Sequence, residues 1–265
     1  MGDSIVAREL IWSETFDYRT SERPDRAIWN FDLGDGSNLG IPGWGNNERE
    51  YYTESAITVD NGLTIHAIRE PKDSLFQSYY GPAEWTSGKI HTAGKVSFHY
   101  GYFEFLAKVP RGGGSWPAIW MLGTAITEKP WPECGEIDIF EGTGNEPYTV
   151  RGTLHGPGYA GEFGITAATT YPALLSEEFH TYGLLWLPDR IEWFIDGQSY
   201  SVIEQSDPRL AGKSWPFNEE HYLIINLAIG GWFAGAIDEA LTAATFEVSS
   251  IKVYSVDGIG KVSLH

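Results

Sequence analysis

Short stretches that alternate between apolar and polar residues run along this chain, and turn residues end them at close intervals. Such period-2 alternation is typical of β-strands with one buried face, and helical periodicity is poor throughout. Asn61-Gly62 separates two such runs within residues 57–65, which predicts a hairpin. Residues 182–202 predict a three-stranded meander with turns at Pro188-Asp189 and Asp196-Gly197. The pattern therefore predicts an all-β fold.

Further strands are expected at residues 96–108, 222–229 and 246–254, and one or two helical turns near residues 238–243. No internal repeat, low-complexity tract or Pro/Ser-rich linker divides the 265 residues, and Gly112-Gly113-Gly114 predicts a loop. This length suits one large β-sandwich or two small domains. We predict a single domain over residues 1–265, built from two antiparallel sheets packed face to face.

Residues 135–142 read Gly-Glu-Ile-Asp-Ile-Phe-Glu-Gly, with three carboxylates in six residues. In a regular strand Glu136 and Asp138 share one face, and Glu141 lies on the other. A β-bulge near residues 139–140 would return Glu141 to the face of the other two, and bulges are frequent beside active sites. Three acids on one face are unfavourable unless they are paired, hydrogen-bonded or partly protonated. The alternative is an ordinary amphipathic strand with a solvated acidic face.

Two carboxyl groups that face one substrate bond are the catalytic groups of glycoside hydrolysis. An ionised carboxylate attacks the anomeric carbon, and a protonated carboxyl donates to the leaving oxygen. Glu136 and Glu141, with a bulge between them, can approach the roughly 5–5.5 Å that a retaining mechanism requires. Asp138 between them would orient the nucleophile and help to keep Glu141 protonated through like-charge repulsion.

Ordered motifs around and beyond this strand point to one family. They are Gly43-Trp44-Gly45-Asn46-Asn47-Glu48, Tyr51-Tyr52-Thr53, Tyr100-Gly101-Tyr102-Phe103-Glu104, Trp116-Pro117-Ala118-Ile119-Trp120-Met121-Leu122, Trp131-Pro132-Glu133-Cys134, the acidic strand itself, Gly152-Thr153-Leu154-His155, Phe179-His180-Thr181-Tyr182 and Leu227-Ala228-Ile229-Gly230-Gly231. Together they resemble family 16 of the glycoside hydrolases. The spacing Glu-x-Asp-x-x-Glu is that of its laminarinase branch, the endo-β-1,3-glucanases, whereas the lichenase and xyloglucan-active branches have Glu-x-Asp-x-Glu.

The resemblance implies a β-jelly roll whose concave sheet forms the substrate cleft. It implies that Glu136 is the nucleophile, Glu141 the acid/base and Asp138 the assisting carboxylate of a retaining enzyme that cleaves laminarin-like polymers. Two alternatives stay open. One is a broader β-1,3-1,4-glucanase, because the catalytic strand does not encode linkage preference. The other is a non-catalytic β-glucan-binding protein on the same scaffold, although such relatives have typically lost the catalytic carboxylates.

A β-glucan cleft needs aromatic platforms for the flat C–H faces of the sugars and some hydrogen-bonding side chains for the hydroxyl groups. Three tryptophans lie shortly before the acidic strand, Trp116, Trp120 and Trp131. The first two are four residues apart, so they share a face if the segment is extended. The family pattern favours Trp116 and Trp131 as substrate contacts, and the alternative for all three is core packing.

Polar candidates for the cleft come mainly from the family resemblance. Glu104 and Asn226 match sugar-binding positions, and Asn226 lies within an apolar run, where a polar side chain needs a partner. Asn46 is the more plausible cleft residue of the Asn46-Asn47 pair, with turn formation as the alternative. His155 is either a sugar contact or a hydrogen-bonded residue at a strand end. Trp232 is expected to cap one end of the cleft.

The charge balance narrows the class of partner. Lys+Arg 18 against Asp+Glu 36 gives a net charge of −18, which opposes binding to nucleic acid or anionic membranes and suits a neutral polysaccharide. The sequence has no run of about 18 apolar residues, so it predicts no membrane span. Nothing demands a protein partner, so a monomer is expected. Residues 1–4 carry no signal segment, and exported relatives suggest a secreted protein whose signal peptide has been replaced by Met1; an intracellular protein is the alternative.

Metal and cysteine chemistry find little support in the sequence. The single Cys134 excludes an internal disulfide and is expected to be a buried packing residue. Many members of the family bind a structural calcium through an acid near the first strand and an Asp near the C terminus. Here Thr15 replaces the first, and Val-Ser-Ser-Ile-Lys at residues 248–252 lacks the second. Calcium prefers six to eight oxygen ligands, so the loss of two carboxylates weakens the case for this site. We predict no essential metal or other cofactor, and a structural calcium is the alternative.

One further departure concerns a motif that usually reads Tyr-Gly-Arg-Phe-Glu-x-Arg in the family. Both arginine positions are non-basic here, Tyr102 and Leu106. The substitution puts some substrate contacts of the resemblance in doubt.

Overall fold

The computed structural model describes residues 7–18 and 23–265, and these residues form two large β-sheets with a small two-stranded ribbon. The strands are β1 (Arg8–Glu14), β2 (Asn30–Phe31), β3 (Glu50–Tyr52), β4 (Ile57–Val59), β5 (Leu63–Arg69), β6 (Gln77–Ser78), β7 (Gly81–Pro82), β8 (Trp85–Ser87), β9 (Lys89–His91), β10 (Val96–His99), β11 (Gly101–Lys108), β12 (Ser115–Gly123), β13 (Glu136–Glu141), β14 (Thr149–His155), β15 (Ile165–Thr170), β16 (His180–Leu187), β17 (Arg190–Ile195), β18 (Gln198–Glu204), β19 (His221–Ile229), β20 (Ala243–Val256) and β21 (Lys261–Leu264). The helical segments are α1 (Gly231–Ala234) and 3-10 turns at Ser37–Leu39, Pro42–Gly45, Glu54–Ala56, Thr124–Thr127, Gly161–Phe163 and Pro208–Leu210.

The two large sheets are named here by their position relative to the acidic strand β13. The front sheet contains it and has the order β15-β14-β13-β12-β19-β10-β21, with β9 beside β19 and β2 beside β9. The back sheet has the order β18-β17-β16-β11-β20-β5-β8-β3, with β1 beside β20 and β4 beside β5. The pairings are antiparallel except for β3 and β8, which run parallel. The all-β class and the sandwich of two sheets are therefore confirmed.

The core lies between the sheets because each strand turns its apolar residues inward and its polar residues outward. In β13 the inward side chains Ile137 and Ile139 are buried, and in β11 Phe103 and Phe105 are fully buried in the same core. Burial of each such side chain stabilises the fold by about 1.5–3 kcal/mol. Cys134 is buried beside Leu122 and Ile224, and burial raises the pKa of its thiol to about 11, as a packing residue requires.

One tryptophan crosses the core and fixes the acidic strand from behind. The indole Nε1 of Trp193, on β17, donates a hydrogen bond to the backbone carbonyl of Asp138 at 2.9 Å. Gly152 on β14 makes room for this ring, since a Cβ there would lie 2.1 Å from the same nitrogen. The back sheet thus holds the backbone of β13 at the middle one of its three acidic residues.

Several strand predictions are confirmed and two need correction. The hairpin β4–β5 and the meander β16–β17–β18 form as predicted, and the expected strands at residues 222–229 and 246–254 lie within β19 and β20. Residues 96–108 are two strands in different sheets, because the chain turns at Tyr100 (φ 64) and Gly101 (φ 120). Such φ values end a strand and let the chain change direction.

The helical turns expected near residues 238–243 are absent from the described residues. Asp238 instead closes a short turn, where its carbonyl accepts from the N–H of Leu241 at 3.0 Å and its side chain from the N–H of Ala240 at 2.9 Å. An Asp that bonds its own following backbone favours a turn over a helix. In the described part of the chain, no helix has the length and apolar character needed to cross a membrane.

Candidate active site

Strand β13 contains the predicted bulge. Against β12, Phe140 pairs with Ile119 and Asp138 with the next residue, Trp120, so Ile139 is the extra residue. Against β14 the register also shifts between Asp138 and Glu141. The shift returns Glu141 to the outer face of the front sheet, beside Asp138 and Glu136. The strand therefore presents its three carboxyl groups on one face, as predicted.

Neighbouring side chains hold each outer carboxyl group from a different side. The indole Nε1 of Trp131 donates to Glu136 Oε2 at 2.6 Å, and that of Trp116 donates to Glu141 Oε1 at 3.1 Å. The hydroxyl of Thr153 donates to Glu141 Oε2 at 3.4 Å. The two glutamates are thus fixed independently, each by its own tryptophan.

His155 on β14 contributes a fourth titratable group. Its Nε2 lies 3.2 Å from Asp138 Oδ2 and 3.8 Å from Glu136 Oε1, without hydrogen-bond alignment. The donor atoms of His155, Asp138 and Glu136 all lie within 4.8 Å of one another, and among the described residues this is the group that could hold a metal ion. Asp138 and Glu136 also contact each other, and His155 lies beside both.

Burial and mutual repulsion set the protonation of these carboxyls. Burial first, and then the charge of Glu136 together with a hydrogen bond to it, holds the pKa of Asp138 well above its usual range. Burial likewise raises the pKa of Glu141 to about 8, with Asp138 and Glu136 adding to the shift and His155 and the Trp116 hydrogen bond opposing it. Both shifts favour the protonated forms, which suits a hydrogen bond from Asp138 to Glu136 and a proton on Glu141.

The other predicted cleft residues lie mostly on the same face. Trp116 and Trp120 share it, as their spacing predicted, and Trp120 Nε1 donates to Asn226 Oδ1 at 2.7 Å. Trp131 is 45% exposed and Trp232 is 77% exposed, so both present free aromatic surface.

Asn46 lies next to Trp232 in space. Its carbonyl accepts from the Trp232 N–H at 2.9 Å, and its side-chain Nδ2 donates to Glu48 Oε1 at 2.9 Å. The structure therefore brings together the predicted residues Asn46, Trp116, Trp120, Trp131, His155, Asn226 and Trp232 around the acidic strand.

The prediction for Glu104 is wrong in position. Glu104 lies on β11 of the back sheet, paired with Gly183 and Lys252. Because its neighbours Phe103 and Phe105 point into the core, its own side chain faces the outer side of that sheet, away from the front sheet. Period-2 alternation identifies the outward residues of a strand, but it does not say which sheet the strand joins.

Tyr102 and Leu106 lie on the same outer face as Glu104, two residues away on either side. The guanidinium of Arg8 covers the Tyr102 ring at 3.5 Å from its centroid. The loss of arginine at these two positions therefore changes the outer surface of the back sheet and not the acidic face of the front sheet.

A cation that the sequence reasoning missed lies on the front sheet. Lys89 pairs in register with Asn226, and its Nζ lies 3.2 Å from Asp32 Oδ2. The same Nζ lies 4.1 Å from the ring centroid of Trp44 and 5.2 Å from that of Trp120, distances typical of cation–π contacts. The polar–apolar–polar alternation Lys-Ile-His at residues 89–91 could have predicted this strand and the outward side chain of Lys89. The strand β2, which precedes Asp32, has only two residues and could not be predicted from alternation.

The residues near the family's calcium position do not fit a calcium ion. Glu14 is the carboxylate there, beside Thr15. Its Oε1 accepts from the N–H of Phe16 at 2.8 Å, and its Oε2 accepts from Trp29 Nε1 at 3.3 Å and from the hydroxyl of Tyr18. Both oxygens accept from protein donors, which would compete with a cation for this carboxylate, and calcium needs several further oxygen ligands.

Comparison with known proteins identifies relatives over nearly the whole chain. The sequence pattern of Glycosyl hydrolases family 16 matches residues 45–250. The chain is 37% identical to a β-glucanase of Rhodothermus marinus, over 93% of this chain and 85% of that protein.

Solved structures give the same result. The laminarinase catalytic domain of Thermotoga maritima MSB8 is 42% identical, with a TM-score of 0.88 over 94% of this chain and 98% of that one. An endo-β-1,3-glucanase of Pyrococcus furiosus is 41% identical, with a TM-score of 0.88 over 94% of this chain and 95% of that one.

Proposed function

The chain belongs to family 16 of the glycosyl hydrolases, and we propose that it is a retaining endo-β-1,3-glucanase that cleaves laminarin-like β-glucans. Its two-sheet fold is the β-jelly roll that the resemblance implied. The observation that carries the proposal is the bulge in β13, which sets Glu136 and Glu141 on one face in different environments. One of them accepts hydrogen bonds from Asp138 and Trp131, and the other is buried and protonated.

In the proposed first step Glu136 attacks the anomeric carbon while Glu141 gives its proton to the departing glycosidic oxygen. The C–O bond to the leaving sugar breaks as the bond from Glu136 to carbon forms, which gives a glycosyl-enzyme. In the second step Glu141 takes a proton from water, whose oxygen attacks the same carbon and releases Glu136. Asp138 orients Glu136 by donating a hydrogen bond to it, and Asp138 keeps its proton in both steps.

Substrate binding is proposed for the residues around this strand. Trp116, Trp131 and Trp232 offer aromatic faces to the apolar sides of the sugars, and Trp120 with Asn226 forms a polar and aromatic part of the floor. Asn46 and His155 offer hydrogen-bonding groups. The site also contains Lys89, whose ammonium lies between Trp44 and Trp120.

The chain as printed is proposed to act as one catalytic domain, as a monomer, outside the cell and without an essential metal. One buried core joins both sheets in the described residues, which supports a single domain. The net charge of −18 supports a neutral polysaccharide as substrate, against nucleic acid or membranes. Both oxygens of Glu14 accept from protein donors, which supports the absence of calcium.

The product profile from laminarin, followed over a short time course beside mixed-linkage glucan, tests the proposed function. Early release of mid-length oligosaccharides from laminarin is expected. Cleavage of mixed-linkage glucan alone would replace the substrate with a β-1,3-1,4-glucan and leave the catalytic residues in place. Tight binding of laminarin by folded protein without release of reducing ends would favour the glucan-binding alternative.

A further inference from the structure

A second pair of buried carboxyl groups, Glu48 and Glu50, lies outside the catalytic strand. Glu50 begins β3 and Glu48 is two residues before it, so both side chains share one face. Glu48 is 5% exposed and Glu50 is 0% exposed, and a side-chain hydrogen bond joins them. The proposed chemistry uses neither residue, yet two buried acids in contact need an explanation.

The hydrogen-bond partners place one proton in this pair. Glu48 Oε1 accepts from Asn46 Nδ2 at 2.9 Å, and Glu48 Oε2 accepts from the Tyr52 hydroxyl at 3.3 Å. Glu50 Oε2 accepts from the backbone N–H of Ile229 at 2.7 Å, whereas Glu50 Oε1 is buried without a donor. Ionised carboxylates only accept hydrogen bonds, so two of them cannot bond to each other without a shared proton. Glu50, the member with an unpartnered oxygen, is the one that carries it.

The groups packed around Glu50 offer no charge that would ionise it. Its own strand contributes Glu48 and the neutral hydroxyl of Tyr52, β19 contributes the N–H of Ile229, and β8 contributes Trp85, opposite it in register. Burial, followed by the charge of Glu48, holds the pKa of Glu50 well above its usual range.

Among the described residues, the cations on this and the neighbouring strands are engaged elsewhere. Arg49 pairs with Glu84 at 2.8 Å, and Lys89 pairs with Asp32 at 3.2 Å. Arg69 donates to the backbone carbonyl groups of Leu241 and Asp238. None of these three cations is therefore placed to stabilise an ionised Glu50.

Two arms of hydrogen bonds lead from this pair to the proposed cleft. Along one arm Asn226 Nδ2 donates to the Tyr52 hydroxyl at 3.1 Å, and Trp120 Nε1 donates to Asn226 Oδ1 at 2.7 Å. Along the other arm Asn46 donates to Glu48 and accepts from the N–H of Trp232 at 2.9 Å. Glu48 is the acceptor on which both arms end, and Glu50 lies behind it.

We propose that Glu50 is a positioning residue for substrate binding: as a protonated carboxyl it donates to Glu48 and so fixes Asn46 and the Tyr52–Asn226–Trp120 arm in their substrate-binding orientation. The proposal rests on the proposed function for its substrate. Loss of the proton would place a second negative charge in a buried site without a cation and remove the donor to Glu48. Affinity for β-glucan would then fall at alkaline pH through this pair, while Glu136, Asp138 and Glu141 keep their contacts.

The test compares Glu50→Gln, which keeps a donor but cannot ionise, with Glu50→Leu, which has no donor. Glu104→Gln, the same change on the outer face of the back sheet, is the control. With laminarin at about pH 6, Glu50→Leu is expected to raise KM about tenfold, the loss of one hydrogen bond to a charged group, with kcat within about twofold. Glu50→Gln and Glu104→Gln are expected to keep KM within about twofold of the wild type. An unchanged KM in folded Glu50→Leu would overturn the proposal.

The dependence of KM on pH distinguishes a role of the proton on Glu50 from a purely structural role of its side chain. The KM of the wild type and of Glu104→Gln is expected to rise as Glu50 loses its proton, whereas the KM of Glu50→Gln should stay lower at the same pH. Comparison at equal pH removes the common effect of Glu141. A KM in Glu50→Gln that rises in step with the wild type would contradict the proposal.

Stability against pH tests the pair without any substrate. A buried acid with a raised pKa lowers the stability of the fold progressively as pH rises from its ordinary pKa to its folded pKa. Glu50→Gln should therefore match the wild type in denaturant midpoint near pH 5 and exceed it increasingly at alkaline pH, and Glu104→Gln should not. If the wild type cleaved no β-glucan, the proposed function would fail, and this comparison would still decide the protonation of Glu50. Parallel midpoints at all pH values would refute it.

Discussion

Strand β11 of the back sheet and strand β13 of the front sheet both place glutamates between buried aromatic or aliphatic residues. In β11 the alternation is regular, so Glu104 and the residues two away from it face the outside of the sandwich. In β13 the bulge breaks the alternation and adds Glu141 to the face of Glu136 and Asp138. An acidic strand becomes a reactive site when its register, its buried partners and its place in the fold act together.

The environments of the two strands differ as much as their registers. The acids of β13 lie among Trp116, Trp131 and His155, and burial raises the pKa of Asp138 and of Glu141. The register partner of Glu104 on β20 is Lys252, an exposed cation on the outer side of the back sheet. This difference favours β13 as the catalytic strand and indicates a purely structural role for β11.

Replacing the proposed nucleophile should give the largest effect. Glu136→Gln removes the attacking oxygen and keeps the size of the side chain, so kcat on laminarin should fall by roughly 10⁴-fold or more while the protein folds normally. Glu104→Gln is the matched control on the back sheet, and its kcat and KM should equal those of the wild type. Near-normal turnover in Glu136→Gln would end the assignment, and a large loss in Glu104→Gln would erase the contrast between the strands.

Two replacements of Asp138 should show whether it acts by donating a hydrogen bond to Glu136. Asn can still donate a hydrogen bond to Glu136, whereas Ala cannot, so Asp138→Asn should lose less activity than Asp138→Ala. A loss of roughly 100-fold is expected for Asp138→Ala, as for a misplaced catalytic group. The values of kcat on laminarin measure both variants. Equal losses in the two would show that Asp138 does not act as a donor.

The pH profile should report Glu141. The proposed chemistry requires its proton in the first step, and its pKa is raised to about 8, so kcat/KM should be lost as pH rises through about 8. Above that value the decline should approach about tenfold per pH unit. The Glu104→Gln control should keep the same alkaline limb. A limb near the ordinary pKa of a glutamate would contradict the protonated state assigned to Glu141.

Calcium removal should have the smallest effect. Because both oxygens of Glu14 accept from protein donors, EDTA is expected to leave the melting temperature unchanged, within about 1 °C. Thermal unfolding with and without added calcium measures this. A fall of several degrees in EDTA would show a metal site that the account excludes.

Much of this site was predictable because its signals are local. The bulge followed from the odd spacing of Glu141, and the shared face of Trp116 and Trp120 followed from their even spacing. The Asn61-Gly62 hairpin was equally local. Each of these predictions needed only the geometry of one strand or one turn.

The errors concern non-local features. The sheet to which a strand belongs depends on turns such as Tyr100-Gly101. Both residues have positive φ values, and the residue type of Tyr100 does not predict such a value. The family resemblance therefore led us to expect Glu104 in the cleft, although its strand belongs to the back sheet. Lys89 was missed because its partners Asp32 and Trp44 are distant in sequence. Spatial neighbours of this kind are set by the packing of the whole sandwich.

The anomeric configuration of the first product, followed by NMR during cleavage of laminarin, tests the central claim most directly. If Glu136 forms a glycosyl-enzyme that Glu141 helps water to hydrolyse, the newly formed reducing end must appear first as the β-anomer and then equilibrate. Initial appearance of the α-anomer would mean inversion by direct attack of water. That result would contradict the assignment of Glu136 as nucleophile.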